Sequence, residues 1–381
     1  MDRLALLQAL QSHPMSGWRR ADSAARPAVD PAARTLWCGI GGSLLPSETL
    51  LRAFGSTEQN RRWTSLGSPE ALALDLQPGD QPVFASKSGK TLELWTWIAR
   101  LRALPGWDRV ARPIAITQDD DNPLAALARR EGWPIASIPV DVGGRFSAFT
   151  PIGTLPLAWL GRDPQAFVDA GRRVTGQVEA GSGFWHEQVW TTVDRFFEGY
   201  LRGTTEWVLM PYSMALENLS AWWVQLVAES LGKVARDGTR RGFTPIRAVG
   251  PVDQHSQLQR WMAGPRNLGV IVVTVEDQDH PERLDPPAGC PYPRLRDLRG
   301  DTILRAQAEG TAEALEAAGI PTIRWSLPAI TEAELGAFMM AWQWTVGLLG
   351  FALELDPFDQ PAVEDGKKRT FAKLGLHEEP R

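Results

Sequence analysis

Cysteine is scarce in this chain. Two stand among 381 residues, Cys38 and Cys290, each alone in its segment. With no CxxC pair, the sequence offers neither a thiolate metal cage nor a redox dithiol. Tyrosine is almost as rare, three against seventeen Trp. The Trp excess reads as core and interface packing by a large amphipathic side chain. No GxGxxG dinucleotide fingerprint occurs. Gly89-Lys90-Thr91 ends like a nucleotide-binding loop, but the Gly needed five positions before Gly89 is Phe84. The N-terminal segment carries Asp2 and Arg3 without a long apolar run, so it does not read as a secretory signal, and a cytoplasmic location is expected. A formal net charge of -5 and no basic DNA-binding segment argue against nucleic acid or an anionic membrane as partner. His and Cys do not cluster, so no metal and no cofactor are expected.

What is present is an ordinary soluble composition, 43% hydrophobic and 22% charged. The most apolar run is AFMMAWQWTVGLLGFAL, Ala337 to Leu353. It is at the short edge for a membrane span, contains Gln343, and reads as a buried core helix. Strands alternate with helices along the chain. Strands are expected at Arg34–Ile40, Gln81–Ala85, Arg112–Thr117 and Ile135–Val140. After a pause at Gly161–Gly183, a second series follows at Glu206–Met210, Ile246–Gly250, Leu268–Val275 and Thr322–Trp325. LGVIVVTV, 268–275, is what a strand buried on both faces looks like. Helices are expected at Pro46–Phe54, up to about Leu104, at Met214–Leu231, Asp253–Met262 and Ala306–Ala318. Such alternation predicts parallel sheets with helices on both faces, an α/β fold.

In such folds ligands sit at the carboxyl ends of strands. Gly39-Ile40-Gly41-Gly42-Ser43 brings backbone amides close to an anion, or is simply a tight turn. Ser86-Lys87-Ser88-Gly89-Lys90-Thr91 offers hydroxyls and a cation at a helix start, suited to a phosphate monoester; a polar helix cap is the plainer reading. Val142-Gly143-Gly144-Arg145-Phe146-Ser147 holds an Arg that can stabilise an oxyanion, or forms a surface turn. Gln225 and Glu229 share a helix face among Trp222, Trp223 and Val227, where a carboxylate can accept a proton or merely be solvated. His255 opens a helix after a strand and Lys367 lies in a polar tail; each alone would be structural or solvated.

Taken together and in order, GIGGS at 39–43, SKSGKT at 86–91, VGGRFS at 142–147, QLVAESLGK at 225–233, DQHSQLQ at 253–259 and FDQPAVEDGK at 358–367 resemble the phosphoglucose isomerase family. The resemblance implies two sugar isomerase (SIS) domains, 1–185 with a short helical N-terminal segment and 186–350. Each would be a parallel sheet flanked by helices, a three-layer αβα sandwich. A C-terminal helical tail, 351–381, would complete the active site. It implies interconversion of glucose 6-phosphate and fructose 6-phosphate through a cis-enediolate, in glycolysis and gluconeogenesis. Gly42, Ser43, Ser86, Lys87, Ser88 and Thr91 would bind the sugar phosphate with Gln225 and Gln360. Glu229 would be the base, Arg145 the charge stabiliser, and His255 with Lys367 the ring-opening pair. The protein would be a homodimer, with His255 supplied by the neighbouring subunit. The chain departs from the family in being shorter, and in Lys90, Leu231 and Pro361, which stand where other residues are common. A non-catalytic phosphosugar-binding regulator and an isomerase that also accepts mannose 6-phosphate are the alternatives.

Overall fold

The computed structural model describes residues 2–21, 27–70, 73–278 and 283–376. Residues 377–381 of the expected tail lie outside the described residues. Eleven strands are found in these stretches: β1 Thr35–Cys38, β2 Trp63–Leu66, β3 Gln81–Ala85, β4 Ile114–Thr117, β5 Ile135–Ser137, β6 Glu206–Pro211, β7 Lys233–Val234, β8 Arg240–Arg241, β9 Thr244–Arg247, β10 Leu268–Asp277 and β11 Thr322–Ala329. They form two parallel sheets and one small antiparallel hairpin, β7–β8. The first sheet runs β2-β1-β3-β4-β5 and the second β9-β6-β10-β11. Numbered from each sheet's own first strand, the two orders coincide as 2-1-3-4, with β5 added to the first sheet. No repeat is visible in the amino-acid sequence, so the duplication is one of topology.

Both faces of the first sheet are buried, which explains its near-continuous apolar strands. Along β1, Leu36 and Cys38 pack with Leu94, Trp97 and Leu127 on one side. Trp37 points to the other, toward Ile152, Leu155 and Trp159. The second sheet alternates likewise. Val208, Met210, Val270 and Val272 face Ala308 and Leu315. Trp207, Leu209, Ile271 and Val273 face a larger core built with Trp223, Phe338 and Trp342. That core also takes in Trp18, Phe146 and Val174 from the first half of the chain. The helix Glu332–Ala352 runs through it and packs most extensively against the helix Pro164–Ala180. It is the one described helix long and apolar enough to cross a membrane, and it is almost wholly buried in the protein.

The structure shifts several expected elements. The strand expected at Ile246–Gly250 is Thr244–Arg247, and the helix expected from Ala306 begins at Gly300. β2, the hairpin β7–β8 and the helix Phe184–Leu201 have no counterpart among the expected elements. The tail helix spans Val363–Leu374 and has no buried residue.

Candidate active site

Two glycine-rich turns meet at the carboxyl ends of the first sheet. Gly39–Ser43 follows β1 and tightens into a 3-10 turn at Gly41–Ser43. Gly143–Ser147 enters a second 3-10 turn after β5. They touch at Gly42, where a Cβ would lie 2.2 Å from the Gly144 carbonyl oxygen. Ser147 Oγ donates to the Gly42 carbonyl at 2.8 Å. Only glycine permits so close an approach. Its effect is to bring Arg145 onto the mouth of the first turn.

Arg145 is 5% exposed, and all five of its N–H groups are engaged. Nε donates to Ser230 Oγ at 2.8 Å. Nη1 donates to Glu229 Oε2 at 3.2 Å and to Gln360 Oε1 at 2.8 Å. Nη2 donates to the carbonyls of Pro357 at 2.7 Å and Asp359 at 2.8 Å. Burial pulls its pKa below the ordinary guanidinium value, and the Glu229 carboxylate opposes that pull. Glu229 lies in the last turn of the helix Glu217–Leu231. Its Oε1 accepts from Gln225 Nε2, one turn earlier, at 3.0 Å. Gln225 in turn lies against Gly41, where a Cβ would stand 2.6 Å from its Nε2. Gly42, Arg145, Gln225, Glu229 and Gln360 are therefore one contiguous cluster drawn from four separate segments, with the half-buried Ser43 at its edge.

The loop Ser86–Thr91 follows β3, the neighbour of β1. Gly89 turns it with φ at +65°, and a Cβ there would lie 2.0 Å from Asn122 Oδ1. Ser86 Oγ and Thr91 Oγ1 stand 2.8 Å apart across the loop, and Ser86 Oγ accepts from Gly89 N at 3.2 Å. Ser88 is exposed and accepts from Lys90 N at 3.3 Å. Thr91 precedes the helix Leu92–Ala103 without capping it, which leaves the first-turn amides available to an anion. Lys87 donates to the Val140 carbonyl at 2.7 Å, which ties this loop to the segment leading into Arg145. Burial pulls the Lys87 pKa down, with Asp141 and Asp120 opposing.

Two expected residues stand apart. His255 is exposed on the helix Val252–Ala263, and among the described residues its side chain bonds to none of the cluster. Lys367 is exposed on the tail helix and pairs with Glu364 at 2.7 Å. Conversely, sequence reasoning assigned no role to Ser230 or Lys233, although both lie within the ESLGK segment. Spacing from Glu229 was the only available signal. A cavity of about 1230 Å³ opens beside the cluster, lined by His13, Glu229, Lys233, Arg236, Asp359 and Gln360 among others.

No protein-family model matches the chain. A glucose-6-phosphate isomerase of Thermus thermophilus is 36% identical over 351 residues, covering 88% of this chain and 82% of the relative. The crystal structure of a hypothetical protein from Thermus thermophilus superposes with a TM-score of 0.87 at 30% identity, covering 98% of this chain and 93% of that one. A glucose-6-phosphate isomerase from Chlamydia trachomatis shares the fold, with a TM-score of 0.74 at 18% identity over 98% of this chain and 72% of that one. The fold, the ordered motifs and the sequence identity agree, and the chain belongs to the glucose-6-phosphate isomerase family.

Proposed function

We propose that this chain interconverts D-glucose 6-phosphate and D-fructose 6-phosphate, with Glu229 as the base that moves a proton between C2 and C1. The observation that carries the reading is the Gln225–Glu229–Arg145–Gln360 cluster at the end of the Gly39–Ser43 turn, in a member of this family. Loss of a proton beside the carbonyl leaves a cis-enediolate, whose negative charge needs a fixed cation. Arg145 is that cation, already held against the carboxylate that takes the proton. Removing one such stabiliser typically costs about 3–4 kcal/mol. A positioned acid–base group adds roughly 10²–10⁴-fold. The phosphate, bound by Ser43, Ser86, Lys87, Ser88 and Thr91, supplies remote binding energy that holds the reacting carbons in place.

Ring opening requires a proton to pass from the anomeric hydroxyl to the ring oxygen. His255 and Lys367 perform it on this reading. Their separation from the cluster is consistent with a site completed by a second copy, with His255 reaching across a two-fold interface. The chain then comprises sugar isomerase domains at 1–185 and 186–350 and a tail at 351–381; the two sheets fall on either side of residue 185, which supports that division.

The test is turnover of fructose 6-phosphate in chelator. Wild type should form glucose 6-phosphate, while Glu229→Gln should lose turnover and still bind the sugar phosphate. Near-normal turnover by that variant would remove Glu229 from the role.

A further inference from the structure

A second cation lies beside the cluster with no part in the chemistry above. Lys233 stands four residues after Glu229, where the helix Glu217–Leu231 gives way to β7. Its side chain is 9% exposed. An ammonium has three donors, and Lys233 Nζ meets three acceptors in one short segment. These are the carbonyl of Asp356, the carbonyl of Asp359 at 2.6 Å and the carboxylate of Asp359 at 2.6 Å. Burial lowers its pKa from the ordinary lysine value, the Asp359 hydrogen bond raises it again, and Arg145 adds repulsion.

Arg145 grips the same segment from the other side, through the carbonyls of Pro357 and Asp359 and the side chain of Gln360. The Asp359 carbonyl thus accepts from both cations. Two positive groups converge on one oxygen, and each keeps its place through the further acceptors that residues 356–360 supply. Shifting the segment moves the anchors of Nη2, and with them the direction in which Nη1 points.

We propose that Lys233 is a positioning residue for the isomerisation: by fixing residues 356–360 it holds the Arg145 guanidinium against Glu229 and presents Gln360 to the sugar. This rests on the assignment of Arg145 and Glu229 above. Lys233 acts through residues 356–360, where its three donors are engaged.

The test compares wild type with Lys233→Met, Asp359→Asn and the double variant, each checked for folding by thermal melting. Displacements near 1 Å in a reacting geometry cost up to about 10²-fold in rate. Lys233→Met should therefore lower kcat by about 10- to 100-fold, with KM within about threefold of wild type. Asp359→Asn weakens one of the three acceptors, on an exposed side chain, and should lower kcat in the same direction. The double variant should be no slower than Lys233→Met alone, since both act through one anchor. A wild-type kcat in folded Lys233→Met overturns the proposal, as does a double variant whose losses multiply. If Lys233→Met does not fold, Asp359→Asn decides alone, and a wild-type kcat there overturns the proposal. A wild type that does not interconvert the two sugar phosphates overturns the isomerase reading and this proposal with it.

Discussion

Every N–H of Arg145 has an acceptor in the resting geometry, so a substrate oxygen must displace one. The replaceable pair is on Nη1, where Glu229 and Gln360 are side chains at the cavity wall; the Nη2 acceptors are backbone carbonyls. Lys87 poses a different residue-scale question. Its folded pKa is lowered, so its positive charge is lost at a lower pH than that of an ordinary lysine. Phosphate binding should therefore weaken as pH rises, earlier than a free lysine would dictate. Charged hydrogen bonds contribute about 1.5–3 kcal/mol, so Lys87→Met should raise KM roughly 10-fold or more at neutral pH and abolish that alkaline dependence. Initial rates across pH on both proteins decide it; an unchanged KM removes Lys87 from the phosphate site. The motifs holding Glu229, Arg145 and Gln360 were legible because each is local, and the structure brings the three side chains together. The contacts of Lys233 were not, because its acceptors lie 123 and 126 residues away in sequence.

At the scale of elements, local signal decided what could be read. The apolar run LGVIVVTV announced β10, whereas the four residues of β2 carry little pattern, and the Arg-rich hairpin β7–β8 none. The helix Glu332–Ala352 was legible as core from its composition, yet one feature contradicts that composition. Gln343 is fully buried, and neither amide atom reaches a hydrogen-bond partner among the described residues. A buried, unsatisfied polar group costs about 1–3 kcal/mol. Gln343→Met keeps the approximate shape and removes the amide, so it should stabilise the protein by a similar ~1–3 kcal/mol. Chemical denaturation, with the midpoint rising at constant slope, measures it; a falling midpoint would show that the amide is satisfied in solution.

At the scale of the whole molecule, the shared strand order of the two sheets was invisible in sequence, because topology constrains patterning and not residue identity. The assembly makes the next prediction. If Glu229 of one copy works with His255 of another, Glu229→Gln and His255→Ala are each inactive as homodimers. A refolded equal mixture forms heterodimers half the time, each with one intact site, giving about a quarter of wild-type activity. No recovery on mixing would place His255 within its own chain. The helix Glu332–Ala352 has a further consequence, for the order of synthesis. Its principal packing partner, Pro164–Ala180, leaves the ribosome about 150 residues earlier. At about 5–20 residues per second that is a delay of roughly 8–30 seconds. During that interval the face of Pro164–Ala180 that later packs on Glu332–Ala352 lacks the cover of that helix, so a chain cut short before residue 332 should be prone to aggregate.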